Sequence, residues 1–135
     1  DMTFRNGIDQ IDKKYGNEYY NTRLKKLASN SMKKFNIPIR SGTYGWMLGP
    51  TYETPAEIDF MKSLNISAVG MSTVPEIEQA HKLNMKLLGI ACLTNYAVGI
   101  STTPLTHNEV MDQAKKSGKL FSNVILDILR SIHTI

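Results

Sequence analysis

A chain of 135 residues with 41% hydrophobic and 21% charged content is long enough to bury one real core. Its formal charge of +4 lies in short scattered pairs (Lys13-Lys14, Lys25-Lys26, Lys33-Lys34, Lys115-Lys116), which sets a nucleic-acid partner aside in favour of a mildly basic solvated surface. One cysteine excludes an internal disulfide, no apolar run reaches the ~18 residues of a membrane span, and residues 1–7 lack the apolar stretch of a secretory signal; the expectation is a cytoplasmic protein with no membrane partner.

In chain order, residues 1–21 show little periodicity and read as an irregular segment. From Thr22 to Phe35, the apolar residues Leu24, Leu27, Ala28, Met32 and Phe35 recur at helical spacing with lysines on the other face. That pattern predicts an amphipathic helix ending near Asn36-Ile37-Pro38. Gly42 to Leu48, aromatic and apolar and closed by Gly49-Pro50, predicts a strand and a turn. Three later helix starts share one signal: Thr54-Pro55-Ala56-Glu57, Thr73-Val74-Pro75-Glu76 and Thr106-His107-Asn108-Glu109. In each, the threonine hydroxyl can accept from an early helical amide while the glutamate reaches back to the cap amide. Ile66 to Met71 and Met85 to Thr94 are short apolar runs and read as strands, the second as a buried central one in which Cys92 is a small core residue. The last helix, from His107 to Ile132, carries Val110, Met111, Ala114, Phe121, Val124, Ile125, Ile128, Leu129 and Ile132, with Gly118 as a weak point.

Alternation of helices and strands predicts an α/β fold, a mixed and largely parallel β-sheet flanked by helices, in a single domain over residues 1–135. In open sheets of this kind, ligands gather beyond the carboxyl ends of the strands. Those positions hold Tyr52 and Glu53, Met71 and Ser72, then Asn95 and Tyr96. Together they offer an aromatic ring, a carboxylate, a thioether, a hydroxyl and an amide, a set suited to a flat polar heterocycle attached to a sugar. Each also has a plainer reading: Glu53 as a surface carboxylate beside a cap, Ser72 as part of a helix start, Asn95 as a turn former. Ser72 and Thr73 open a helix, whose free amides favour an anion. His107 is read either as a neutral hydrogen-bonding imidazole or as an exposed first-turn residue. His81 and His133 lack metal-ligand spacing to any other histidine or cysteine, so no metal site is expected. Gly-x-Gly-x-x-Gly, the Walker loop, the nucleophile elbow and Cys-x-x-Cys are all absent from the sequence.

Three segments then carry a resemblance. Gly49-Pro50-Thr51-Tyr52-Glu53-Thr54, Ala68-Val69-Gly70-Met71-Ser72-Thr73-Val74-Pro75-Glu76 and Leu93-Thr94-Asn95-Tyr96-Ala97, continued by Pro104-Leu105-Thr106-His107-Asn108-Glu109-Val110, resemble the signature segments of the trimeric, low-molecular-mass purine nucleoside phosphorylases, in their carboxyl-terminal part. The resemblance runs from about Leu24 to Ile132. It implies the nucleoside phosphorylase fold and phosphate-dependent cleavage of 6-oxopurine nucleosides of the inosine and guanosine type, giving the purine and (deoxy)ribose 1-phosphate. It also implies a role in purine salvage, a homotrimer, inorganic phosphate as co-substrate and no further cofactor.

By the same carry-over, Glu53, Asn95 and His107 are the catalytic residues. Glu53 bonds the purine N1 side, Asn95 meets O6 and N7, and His107 bonds the 5′-hydroxyl. Tyr52, Val69 and Gly70 lie against the base, Tyr44 and Met71 line the ribose, and Ser72 contacts phosphate. The similar methylthioadenosine phosphorylases carry serine and aspartate at the positions of Glu53 and Asn95, a swap that fits a 6-amino base. The family's usual chain is longer, and its glycine-rich phosphate loop and phosphate-contacting arginine and histidines have no counterpart in this sequence. The expectation is therefore weak or no turnover by the chain alone, with a non-catalytic nucleoside-binding or assembly module of the same fold as the alternative.

Overall fold

The structure is a computed structural model that describes residues 19–100 and 107–132. Most of the expected irregular segment, and the expected cap at Thr106, lie outside the described residues. The elements are α1 (Thr22–Lys34), β1 (Thr43–Trp46), α2 (Pro55–Ser63), β2 (Ile66–Gly70), α3 (Val74–Lys82) and α4 (His107–Ile132).

Helix α1 starts where Asn21 accepts from the amides of Arg23 and Leu24, both at 3.1 Å, so two of its orphan donors are satisfied by one side chain. Its apolar stripe then does what the spacing predicts. Ala28 and Met32 pack with Val124 and Ile128 of α4 into a buried cluster, flanked by Phe35, Ile37, Leu88 and Ile90. Buried Ser31 sits inside this helix pair and donates to the Val124 carbonyl at 3.3 Å, which meets the need of a buried hydroxyl for a partner. Lys34 pairs with Asp127 at the rim. Helix α4 continues through Gly118, so the expected weak point does not interrupt it.

Strands β1 and β2 run parallel, with Tyr44 opposite Ala68, Gly45 opposite Val69 and Trp46 opposite Gly70. A parallel pair needs a crossover, and α2 supplies it. Ile58 and Met61 form the buried side of that crossover helix. Its start is the capping box read from the sequence: the Thr54 hydroxyl accepts from the Glu57 amide at 3.3 Å, and the Glu57 carboxylate accepts from the Thr54 amide at 2.7 Å and from the Thr54 hydroxyl at 2.8 Å.

Three helices stop by one device. Asn36, Asn65 and Asn84 follow α1, α2 and α3 with φ of 54°, 58° and 55°. Asparagine adopts this left-handed region at lower cost than other residues with a Cβ. After α1 the amides of Asn36 and Ile37 return to Lys33 and Met32, and after α3 those of Asn84 and Met85 return to His81 and Ala80. Each stop is an apolar-Asn-apolar triplet: Phe35-Asn36-Ile37, Leu64-Asn65-Ile66 and Leu83-Asn84-Met85.

Two expectations are corrected. Met85 to Thr94 is not a strand among the described residues: its one bridge joins Leu87 to Tyr20, with the Asn21 amide donating to the Leu87 carbonyl at 2.8 Å. An apolar run becomes a strand only when a neighbouring ladder takes its amides and carbonyls, and the described sheet consists of β1 and β2 alone. In consequence Cys92, expected in the core, is exposed, as are Met85 at 59% and Leu93 at 62%. The second correction concerns Thr73, which makes no side-chain cap bond to α3. No helix among the described residues is long and apolar enough to cross a membrane.

Candidate active site

The sheet's register places the candidate residues. Tyr44, on β1, projects its ring over Gly70 at the end of β2: a Cβ built on Gly70 would collide with the Tyr44 Oη. Any larger residue at 70 would evict the ring. The phenol then donates to the Ser72 carbonyl at 3.2 Å, so a side chain of one strand ties down the loop that leaves the other. Met71 reaches back to the turn after β1, where Gly49 has φ +64° and an added Cβ would meet the Met71 sulfur at 2.6 Å. Glycine is needed there for both the backbone angle and the close approach.

These contacts bring Tyr44, Gly70, Met71 and Ser72 together at the carboxyl ends of the two strands. Val69 is half-buried within β2 beside them. The Ser72 hydroxyl lies 3.3 Å from that of Thr73. Thr73 itself has φ 82° and ψ −46°, and the Val74 amide donates across it to the Ser72 carbonyl at 3.0 Å. Three residues closed by an i to i+2 hydrogen bond with these angles make the rare, strained form of γ-turn. The sequence gives no signal for it, because a β-branched residue is among the least expected at positive φ.

Tyr52 and Glu53 sit on the loop between β1 and α2, Tyr52 half exposed and Glu53 half-buried directly before the Thr54 cap. Asn95 lies on an exposed loop. Its amide oxygen accepts from the Thr94 hydroxyl at 2.7 Å and its amide nitrogen donates to the Tyr96 carbonyl at 3.1 Å. Those bonds fix which end of the amide is the donor and leave one N–H uncommitted. They run to sequence neighbours, not to Glu53. The side chain of His107 lies outside what the structure describes; its backbone opens α4.

Beside Ser72 opens a cleft of about 490 Å³, lined by Tyr20, Ser72, Thr73, Glu76, Ile77, Ala80 and Leu87 to Gly89. Its polar edge is hydroxyl and carboxylate and its walls are aliphatic. Burial, with the Tyr44 phenol nearby, pushes the Tyr20 phenol above its ordinary pKa, so Tyr20 is a neutral donor there. The sequence reading missed Tyr20, which enters the cleft only because Asn21 and Leu87 pair. Among the described residues, no group of three His, Cys, Asp or Glu side chains could hold a metal ion.

The model of the phosphorylase superfamily matches residues 3–130. Purine nucleoside phosphorylase 1 of Bacillus subtilis is 47% identical over 97 residues, covering 72% of this chain and 36% of the relative. Purine nucleoside phosphorylase 1 of Geobacillus stearothermophilus is 41% identical over 115 residues, covering 85% and 42%. Among solved structures, the Schistosoma purine nucleoside phosphorylase in complex with hypoxanthine superposes with a TM-score of 0.76 at 28% identity, over 82% of this chain and 41% of that one. The chain thus spans roughly two fifths of the length of the relatives it matches.

Proposed function

The chain belongs to the phosphorylase superfamily, and on that premise we propose that it carries the purine-recognition part of a purine nucleoside phosphorylase acting on 6-oxopurine nucleosides. The observation that carries this reading is the orientation of Asn95. Thr94 donates to its amide oxygen and one amide N–H goes to Tyr96, so the amide's ends are assigned and one N–H is left to offer a base, beside the oxygen's second lone pair. A 6-oxopurine presents acceptors at O6 and N7 and a donor at N1–H, and Glu53 supplies the complementary carboxylate. A 6-amino base would set donor against donor at Asn95.

The chemistry follows from where charge moves. As the N-glycosidic bond breaks, its electrons go to the purine and the ribosyl carbon becomes cation-like. A donor held at N7 or O6 gains strength as that charge develops, and so lowers the barrier more than it stabilises the ground state. Phosphate, contacted by Ser72, captures the ribosyl carbon and leaves as ribose 1-phosphate. Tyr44 and Met71 line the ribose, Tyr52, Val69 and Gly70 the base, and His107 bonds the 5′-hydroxyl. The assembly is a cytoplasmic homotrimer serving purine salvage.

The test is release of hypoxanthine from inosine by the purified chain, with and without phosphate. Release that requires phosphate and drops about a hundredfold in Asn95→Ala supports the enzymatic reading. The share of each relative that the chain spans, about 40%, favours a second reading, a nucleoside-binding module of the same fold without turnover. Inosine binding with no release supports that one. Absence of both binding and release overturns the assignment of a purine site.

A further inference from the structure

We propose that Thr73 is a positioning residue, held in a strained γ-turn that aims Ser72 toward the phosphate position at a cost in stability; this rests on the reading of the site given above. Three observations converge on it. Thr73 has φ 82° and ψ −46°, a region where a β-branched residue is strongly disfavoured. Its hydroxyl does not cap α3 but lies 3.3 Å from the Ser72 hydroxyl. The carbonyl of Ser72 takes two donors, the Val74 amide at 3.0 Å and the Tyr44 phenol at 3.2 Å. Ser72 is therefore fixed at its backbone from two sides and touched at its hydroxyl from a third, while its side chain stays exposed at the mouth of the cleft.

The sequence offered Thr73 a cheaper arrangement. Thr73-Val74-Pro75-Glu76 matches the capping box that Thr54 and Glu57 form in full. Adopting it would require the extended φ that Thr54 has, −75°, and would turn the Thr73 hydroxyl into the helix and away from Ser72. The fold forgoes the cap and retains the turn. Such a trade is expected where geometry at a site matters more than local stability.

The experiment is done on the 135-residue chain with Thr73→Gly and Thr73→Ala. Glycine enters positive φ freely, so relief of strain outweighs its own entropy cost, and urea denaturation should show the folded-to-unfolded ratio raised about fivefold. Alanine keeps the Cβ at positive φ and loses no cap, so its ratio should stay within about twofold of the parent. A loss of about fivefold in Thr73→Ala with little change in Thr73→Gly is the signature of a working cap, and would overturn the proposal.

The second readout is the affinity for a non-cleavable inosine analogue with and without inorganic phosphate, since inosine itself would be consumed. A positioning role predicts that Thr73→Gly, though more stable, loses most of the gain in affinity that phosphate gives and keeps its phosphate-free affinity. An unaltered phosphate-dependent gain, or a parent chain with no such gain, overturns the positioning role and leaves the purine site standing. Failure of the parent to bind the analogue at all overturns both.

Discussion

The phenol of Tyr44 donates to the backbone carbonyl of Ser72 at 3.2 Å, and this bond couples the two strands of the sheet at the end where the candidate site lies. It depends on Gly70, whose missing side chain is the space that the Tyr44 ring fills.

Gly70→Ala should therefore act on the site through Tyr44. The new methyl would collide with the Tyr44 oxygen, so the ring must swing out and the Ser72 bond breaks. Overpacking of this kind costs about 1–3 kcal/mol, and loss of the ring should weaken inosine binding about tenfold. Tyr44→Phe keeps the ring and removes only the hydrogen bond, for a smaller loss of about 1 kcal/mol. Urea denaturation and inosine titration of both variants check the order.

Val124 is 1% exposed at the centre of the α1 and α4 contact. Val124→Ala removes two buried carbons and leaves a cavity, which should cost about 2 kcal/mol. Leu126 and Leu129, on the same helix, are half exposed, and alanine there should change stability by less than about 0.5 kcal/mol. Thermal and urea unfolding of the three variants separate the two faces of α4.

The Thr54 box predicts an effect that the Thr73 pattern does not. Thr54→Ala loses the hydroxyl that accepts from the Glu57 amide and should cost about 1 kcal/mol. Far-ultraviolet circular dichroism during urea unfolding reads the loss.

Acid stability follows from two carboxylates. The Thr54 amide first, then its hydroxyl, hold Glu57 below its ordinary pKa. The Lys34 ammonium does the same for Asp127. A pKa lowered on folding contributes stability that is present above the unfolded value and lost as pH falls through the folded one. The urea midpoint should stay level near neutral pH and fall below about pH 4.5, and the double variant Glu57→Gln with Asp127→Asn should show a shallower fall.

Much of this was legible in the sequence, because the signals were local. The spacing of Leu24 to Phe35 gave α1, Thr54 to Glu57 gave a full capping box, and the Gly49, Gly70 and Met71 segments fell where strands end. What sequence reading missed depended on tertiary partners. Met85 to Thr94 has strand composition, but composition supplies no ladder, and among the described residues Leu87 finds only Tyr20. Cys92 is exposed for the same reason. Thr73 shows that one motif admits two outcomes: the four-residue pattern is identical in kind to that at Thr54, and the bonds to the Ser72 carbonyl decide against the cap. Of the asparagine stops only the one at Asn36 was expected as a helix end; those at Asn65 and Asn84 emerged with their positive φ, because a left-handed residue leaves no periodic trace.

The most direct test of the central claim, a site built for a 6-oxopurine, is titration of the purified chain with hypoxanthine and with adenine under the same conditions. Glu53 as acceptor and Asn95 as donor predict hypoxanthine bound at least about tenfold more tightly, one mismatched donor-acceptor pair being worth about that factor. Equal affinity for the two bases, a preference for adenine, or no binding of either would contradict it.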